Sequence, residues 1–109
     1  MRVAYRIWLD NDGKAFGEGP YRLLKGIEKT GSLRQAAAEQ RISYRKAWLI
    51  LKDIEKRLGF QILERQVGGV SGGGSVLTAS GKSLMKRYER FRAEANKALE
   101  QIFRKHFRS

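Results

Sequence analysis

Cysteine is missing from this sequence of 109 residues, and histidine occurs once, at His106. The first absence excludes disulfides, thiolate metal sites and a cysteine nucleophile. The second excludes a multi-histidine metal site. No apolar run approaches the roughly 18–20 residues that span a bilayer, and no signal-peptide pattern opens the chain. With no cysteine and no leader, the expected location is the cytoplasm. Proline occurs once, so there is no proline-rich linker, and no internal repeat is present. Acidic residues are scarce too: 11 Asp and Glu stand against 23 Lys and Arg, a formal net charge of +12.

That surplus of positive charge is the strongest global feature, and it points to a polyanionic partner, most often nucleic acid. Hydrophobic residues make up 41% of the chain. This is enough for a core and argues against a disordered basic tail. The length suits one domain, or one domain with a protruding element.

Val3, Tyr5, Ile7 and Leu9 alternate and predict a half-buried strand over residues 3–9. Asp10-Asn11-Asp12-Gly13 reads as a turn, with Lys14-Ala15-Phe16 returning as a short strand. Gly19-Pro20 marks the start of a helix with Leu23, Leu24 and Ile27 as its apolar stripe, ending at Thr30-Gly31. Ser32 is positioned to cap a short helix from Leu33 to about Gln40, with Leu33, Ala36 and Ala37 inward. After the Arg41-Ile42 turn, Ser43 caps a third helix to about Leu58. On it Ala47, Leu51, Ile54 and Leu58 share one face at about 100° per residue. Arg45, Leu49, Lys52 and Lys56 share the opposite face, flanked by Lys46 and Asp53. Trp48 sits on the shoulder of the apolar stripe and is expected to serve the core. Gln61–Val67 and Ser75–Leu77 read as two strands around the glycine-rich stretch 68–74. Thr78 caps a last helix to about Phe107, which would be on the order of 40 Å long.

This order is a helix-turn-helix with a wing: mainly α with a small β-sheet, residues 1–78, followed by a long C-terminal helix, residues 79–109. The basic face of the third helix is then free to enter a major groove, which is about 12 Å wide. Its first residues, Ser43, Tyr44, Arg45 and Lys46, are the ones that reach base edges in such motifs, and Arg45 suits a bidentate contact to guanine. Lys46, Lys52 and Lys56 suit phosphates, which position a protein without reading sequence. In the wing, glycines let backbone N–H groups approach the sugar-phosphate chain, with Arg65 at the base. The candidate DNA contacts are therefore Ser32, Ser43, Tyr44, Arg45, Lys46, Lys52, Lys56, Arg65, Gly72 and Gly73.

Gly81-Lys82-Ser83 ends like a nucleotide-binding loop, but Val76 stands where its first glycine belongs. Asp53 and Glu55 lie among Lys and Arg and read as helix-surface pairs. No catalytic constellation, metal site or cofactor site is expected, and the chain does not read as an enzyme. In the last helix Leu84, Tyr88, Phe91, Ala95, Ala98 and Ile102 recur at spacings of 4 and 3. Met85, Leu99 and Phe103 run beside them. The pattern predicts a helix–helix seam whose distal half meets a second copy.

Gly31-Ser32-Leu33 with Ala36-Ala37, then Ser43-Tyr44-Arg45-Lys46-Ala47-Trp48, resembles the N-terminal DNA-binding domain of the molybdate-responsive ModE regulators. The glycine wing followed by Leu77-Thr78-Ala79-Ser80-Gly81 fits the same family, as do Leu9, Gly13 and Phe16. The run from Leu58 to Arg65 is similar to the wider LysR-type winged domain. The resemblance implies a transcriptional regulator that binds double-stranded DNA at a palindromic site as a homodimer. It implies base contacts from residues 43–46 and backbone contacts from the wing. Molybdate-binding domains follow the DNA-binding domain in that family; here the chain ends after one helix, so molybdate binding by it is not expected. The alternatives are a non-specific architectural DNA binder and a protein-interaction module with incidental charge.

Overall fold

The computed structural model describes residues 1–66 and 74–107, with the backbone alone for residues 65 and 66. The elements run β1 (Leu9–Asp10), β2 (Lys14–Phe16), α1 (Glu18–Thr30), α2 (Leu33–Glu39), α3 (Tyr44–Leu58), β3 (Leu63–Gln66), β4 (Gly74–Leu77) and α4 (Ala79–His106). The two sheets are both antiparallel hairpins, β1–β2 and β3–β4.

Short-range chemistry sets most of the boundaries. Ser32 Oγ accepts the Gln35 N–H at 3.1 Å, Ser43 Oγ accepts the Lys46 N–H at 3.0 Å, and Thr78 Oγ1 accepts the Gly81 N–H at 2.9 Å. Each satisfies one of the orphan donors at a helix start. Gly31 and Gly59 end α1 and α3 with φ of 71° and 80°, the left-handed region where a side chain is strained. α1 starts one residue before Gly19-Pro20, with Pro20 in the first turn, where its missing N–H is no loss.

The core is one cluster. Phe16, Leu23, Leu24, Ile27, Leu51, Ile62 and Met85 are its largest fully buried side chains, and Ala36, Ala37 and Ala47 let α2 and α3 close onto it. Phe16 meets Tyr88 edge-on, ring centroids 5.2 Å apart, and this brings the first turns of α4 onto the same core. Two glycines mark the closest approaches. A Cβ on Gly26 would stand 2.7 Å from the Ala36 Cβ, and one on Gly81 would stand 2.6 Å from the Ile62 carbonyl oxygen.

The strand expected over residues 3–9 shrinks to Leu9–Asp10. A strand needs a ladder partner. β2 offers three residues, and its register with β1 is irregular between Leu9 and Asp10. Residues 1–8 are instead tied to α4, where the Tyr88 hydroxyl donates to the Ile7 carbonyl at 3.1 Å. β3 begins at Leu63 rather than Gln61, because the backbone of Ile62 bonds elsewhere.

α4 has 28 residues, about 42 Å of helix. It buries Gly81, Met85 and Tyr88 and leaves Phe91 and Ile102 45% and 55% exposed. The molecule measures 58 × 27 × 22 Å, so the helix extends beyond the globule.

The glycine contacts give a direct test of the packing. Gly81→Ala should lower stability by about 1–3 kcal/mol, because the Ile62 backbone cannot move aside cheaply. Gly19→Ala, where an added Cβ meets nothing within 4 Å, should leave the melting temperature unchanged or raise it. Circular-dichroism melts of the two variants check this; equal losses would show that the contact at Gly81 is not limiting.

Candidate nucleic-acid interface

α3 takes its place through its inner face. Ala47, Leu51 and Ile54 are buried, and Ile42, Tyr44 and Leu58 pack partly against the core. The turn before it is tight: Arg41 adopts φ of 58°, and the Ile42 N–H donates to the Ala37 carbonyl at 3.1 Å. This fixes α2 and α3 as one unit. The outer face of α3 then carries Arg45, Lys46, Trp48, Leu49, Lys52 and Lys56, all exposed. Among the described residues, no ion pair within 4 Å engages Arg45, Lys46 or Lys56. Lys52 is paired with Glu55 at 3.1 Å.

Beside this face lies a cleft of about 930 Å³ between α3 and the base of the wing, lined among others by Tyr44, Arg45, Trp48, Lys52, Leu63 and Ser75. Glu64 places one negative charge in it. The wing hairpin pairs Leu63 with Leu77 through to Gln66 with Gly74. Its inner strand is tied back to the end of α1, where the Ser75 N–H donates to the Gly31 carbonyl at 2.9 Å.

The sequence-derived candidates fall into three groups. Arg45, Lys46, Lys52 and Lys56 lie together on the exposed face of α3, with Tyr44 half-buried at its start. Ser32 and Ser43 are engaged as helix caps, so their hydroxyl oxygens are committed to backbone N–H groups. Arg65 belongs to β3, paired with Ser75 across the hairpin, and Gly72 and Gly73 lie outside the described residues.

Three residues take roles that the sequence reading did not assign. Trp48, expected in the core, is 39% exposed, with the Lys52 ammonium 5.3 Å from its ring centre. The cause is the 100° step. Ala47 and Leu51 take the buried stripe, and a ring on its shoulder turns toward the cleft. Arg34, on α2, stacks its guanidinium 4.5 Å over the Tyr44 ring, adding a cation beside the start of α3. Glu55 is the third. Its side chain is 11% exposed. Its Oε2 accepts the N–H of Ile62 at 2.7 Å and of Leu63 at 3.3 Å. Burial pushes the Glu55 carboxyl up. The Ile62 N–H, the Lys52 ammonium and the Leu63 N–H together outweigh that and hold it below its usual range. Asp53, by contrast, is the surface partner expected, 3.1 Å from Arg57 one turn on.

Among the described residues no group of three or more His, Cys, Asp or Glu could hold a metal ion, and no helix is long and apolar enough to cross a membrane. Exposed cations and an aromatic ring beside a hairpin have the chemistry that phosphates, sugars and base edges could match.

Residues 21–82 match the model of the bacterial regulatory helix-turn-helix proteins of the lysR family. Over 68 residues the chain is 41% identical to a transcriptional regulator ModE of Haemophilus influenzae, covering 62% of this chain and 27% of that protein. It is 32% identical over 102 residues to a molybdenum transport protein ModE of Azotobacter vinelandii, covering 93% of this chain and 38% of that one. It is 36% identical over 80 residues to the DNA-binding transcriptional dual regulator ModE of Escherichia coli K12, covering 73% and 30%. The chain thus spans about a third of the length of these curated relatives. In fold it is similar to the protein in the crystal structure of the CbnR_DBD–DNA complex, with a TM-score of 0.60 at 21% identity, over 77% of this chain and 92% of that one.

The Glu55 contacts make stability depend on pH. A carboxyl whose folded pKa is depressed stabilises the fold above its unfolded pKa, and that contribution is lost as pH falls through the folded pKa. The melting temperature should therefore drop as pH falls below about 4.5, the ordinary value for this group. Glu55→Gln should cost about 1.5–3 kcal/mol at pH 7 and flatten part of the acid limb. Superimposable melting-temperature curves for the two proteins would show that this carboxylate does not hold the wing.

Proposed function

Because the chain belongs to the lysR family of bacterial regulatory helix-turn-helix proteins, we propose that it is a sequence-specific, ModE-like transcriptional regulator that binds double-stranded DNA at a palindromic site as a symmetric homodimer. It acts where the chromosome is, in the cytoplasm. Residues 1–78 form the DNA-binding unit and 79–109 the dimerisation element. The observation that carries the reading is the two-sided α3. Ala47, Leu51 and Ile54 are spent on the core, and Arg45, Lys46, Trp48, Lys52 and Lys56 face outward beside a hairpin.

α3 enters the major groove with Arg45 toward base edges, while Lys46 and Lys56 meet phosphates on either side. Trp48, braced by Lys52, presents an apolar surface to a deoxyribose or a thymine methyl at the mouth of the cleft. Arg65 on β3, together with Gly72 and Gly73, contacts the adjacent sugar-phosphate backbone. Ser32 and Ser43 serve at one remove. Their caps leave further N–H groups at the starts of α2 and α3, where the helix dipole favours an anion.

Dimerisation must overcome charge. Residues 79–109 hold nine Lys and Arg against three Asp and Glu, so two such helices repel. At physiological salt the screening length is about 8 Å, which blunts the repulsion and leaves the burial of Phe91, Leu99, Ile102 and Phe103 intact. A two-fold dimer sets its recognition helices about 34 Å apart or a multiple of it, which is why the site is a palindrome.

Two measurements test the reading. With roughly six to ten phosphates neutralised per dimer, affinity should fall about 10³–10⁵-fold between 50 and 200 mM salt. Affinity that hardly changes would count against DNA as the partner. Arg45→Ala should relax preference at one base pair per half-site, at a cost of about 1–3 kcal/mol there, whereas Lys56→Ala should weaken all duplexes alike. Uniform weakening by both, with no advantage of any selected site over random duplex, would make the protein an architectural binder.

Sedimentation tests the dimer on its own. The wild type should be dimeric at micromolar concentration, and Ile102→Asp with Phe103→Asp should dissociate it. A monomeric wild type, or a double variant that stays dimeric, would remove α4 as the interface.

A further inference from the structure

α4 carries apolar residues into the globule only as far as Tyr88, the last of its buried side chains. Beyond that point a compact group of polar contacts joins it to α1. The Arg92 guanidinium places Nη1 2.7 Å from each oxygen of Glu18 and lies 4.6 Å over the Tyr21 ring. One turn earlier, Glu89 accepts a hydrogen bond from the Tyr21 hydroxyl, and its Oε2 is 3.6 Å from Lys25 Nζ. Between these two points the Tyr21 and Tyr88 rings are in contact, centroids 5.5 Å apart.

We propose that Glu18 and Arg92, with Tyr21 and Glu89, are positioning residues that set the angle at which α4 leaves the domain and so fix the half-site spacing the dimer accepts. The inference rests on the dimer reading above and deepens it. The Thr78 N–H and the Tyr88 hydroxyl hold the first turns of α4 to the Ile62 and Ile7 carbonyls; beyond Tyr88, non-directional apolar contact would leave the helix free to swivel. Charge-assisted hydrogen bonds at Glu89 and Arg92 are directional, and two such points on successive turns fix both tilt and roll. Their value is geometric. Arg92 is 30% and Glu18 42% exposed, and ion pairs this open add little to stability.

The length of α4 amplifies the angle. From Arg92 to His106 the helix runs about 21 Å, so a swivel of about 10° moves its end by about 4 Å, close to the rise of one base pair. A dimer joined through that distal part carries the error into the separation of its two recognition helices. A mismatch of one base pair also rotates a half-site by about 34°, and the second subunit then engages poorly.

The test uses the full chain and a palindromic duplex selected from a random pool by the wild type, remade with one or two base pairs added or removed between half-sites. Wild type should lose about tenfold or more per base pair away from the optimum. Arg92→Met and Glu18→Gln should compress that loss to about threefold or less while binding an isolated half-site as wild type does, with unchanged helix content and dimerisation. Glu18→Gln leaves α4 untouched, so it keeps the result readable if Arg92→Met folds poorly. Arg92→Lys, which keeps the charge, should restore part of the spacing preference. Folded, dimeric variants that keep the full wild-type spacing penalty would overturn the inference and leave the dimer reading standing. A wild type that binds single half-sites as well as palindromes would overturn both, and the two failures are told apart by the wild type alone.

Discussion

The backbone of Ile62 is where α3, the wing and the long helix α4 are fastened together. Its N–H is held by the Glu55 carboxylate from α3, and its carbonyl accepts the Thr78 N–H at the start of α4. The first turn of α4 can come this close because residue 81 has no side chain. The Ile62 side chain is itself fully buried. A rotation of the wing relative to α3 would break a charge-assisted bond, uncover the isoleucine and uncap α4 together. That makes helix and hairpin a single surface, which under the proposed DNA reading would not need ordering on binding.

The features legible in the sequence are those whose cause is local. Ser32, Ser43 and Thr78 announce helix starts because a hydroxyl three residues before an orphan N–H caps it in nearly any context. Gly31 and Gly59 announce helix ends for an equally local reason. The stripe of Ala47, Leu51 and Ile54 is visible because helical spacing alone puts it on one face. The basic face of α3 then follows by subtraction. What the sequence hid is what depends on residues distant in the chain. Glu55 looks like any surface carboxylate until Ile62 and Leu63 are folded over it. Arg92 finds Glu18 across 74 positions. Alternation over residues 3–9 is a true strand pattern, but pattern cannot supply the partner strand. Trp48 was lost on a shoulder position, where a few tens of degrees decide between core and cleft.

The charge is distributed with some economy. Among the described residues the core contains no buried polar or charged residue, so their Lys, Arg, Asp and Glu side chains are at or near the surface. The acidic ones are used mostly as local partners: Glu18 for Arg22 and Arg92, Glu89 for Lys25, Asp53 for Arg57. The outer face of α3 is spared this neutralisation except at Lys52, whose partner Glu55 serves the wing. Arg45, Lys46 and Lys56 therefore keep their charge unpaired on the exposed face of α3 among the described residues.

The chain has two tryptophans, and both are exposed. Trp8 is 51% open at the first hairpin, with Lys14 5.2 Å from its ring, and Trp48 is 39% open on α3. Indole emission shifts and quenches when its surroundings change, so the protein carries two native optical probes at separate stations. One lies beside the β1–β2 corner, next to Leu9, which lines a groove along α4, and the other lies in the cleft beside the wing. Replacing either ring by phenylalanine leaves a single emitter. Events on the two surfaces can then be recorded one at a time, without a dye and without altering the basic residues.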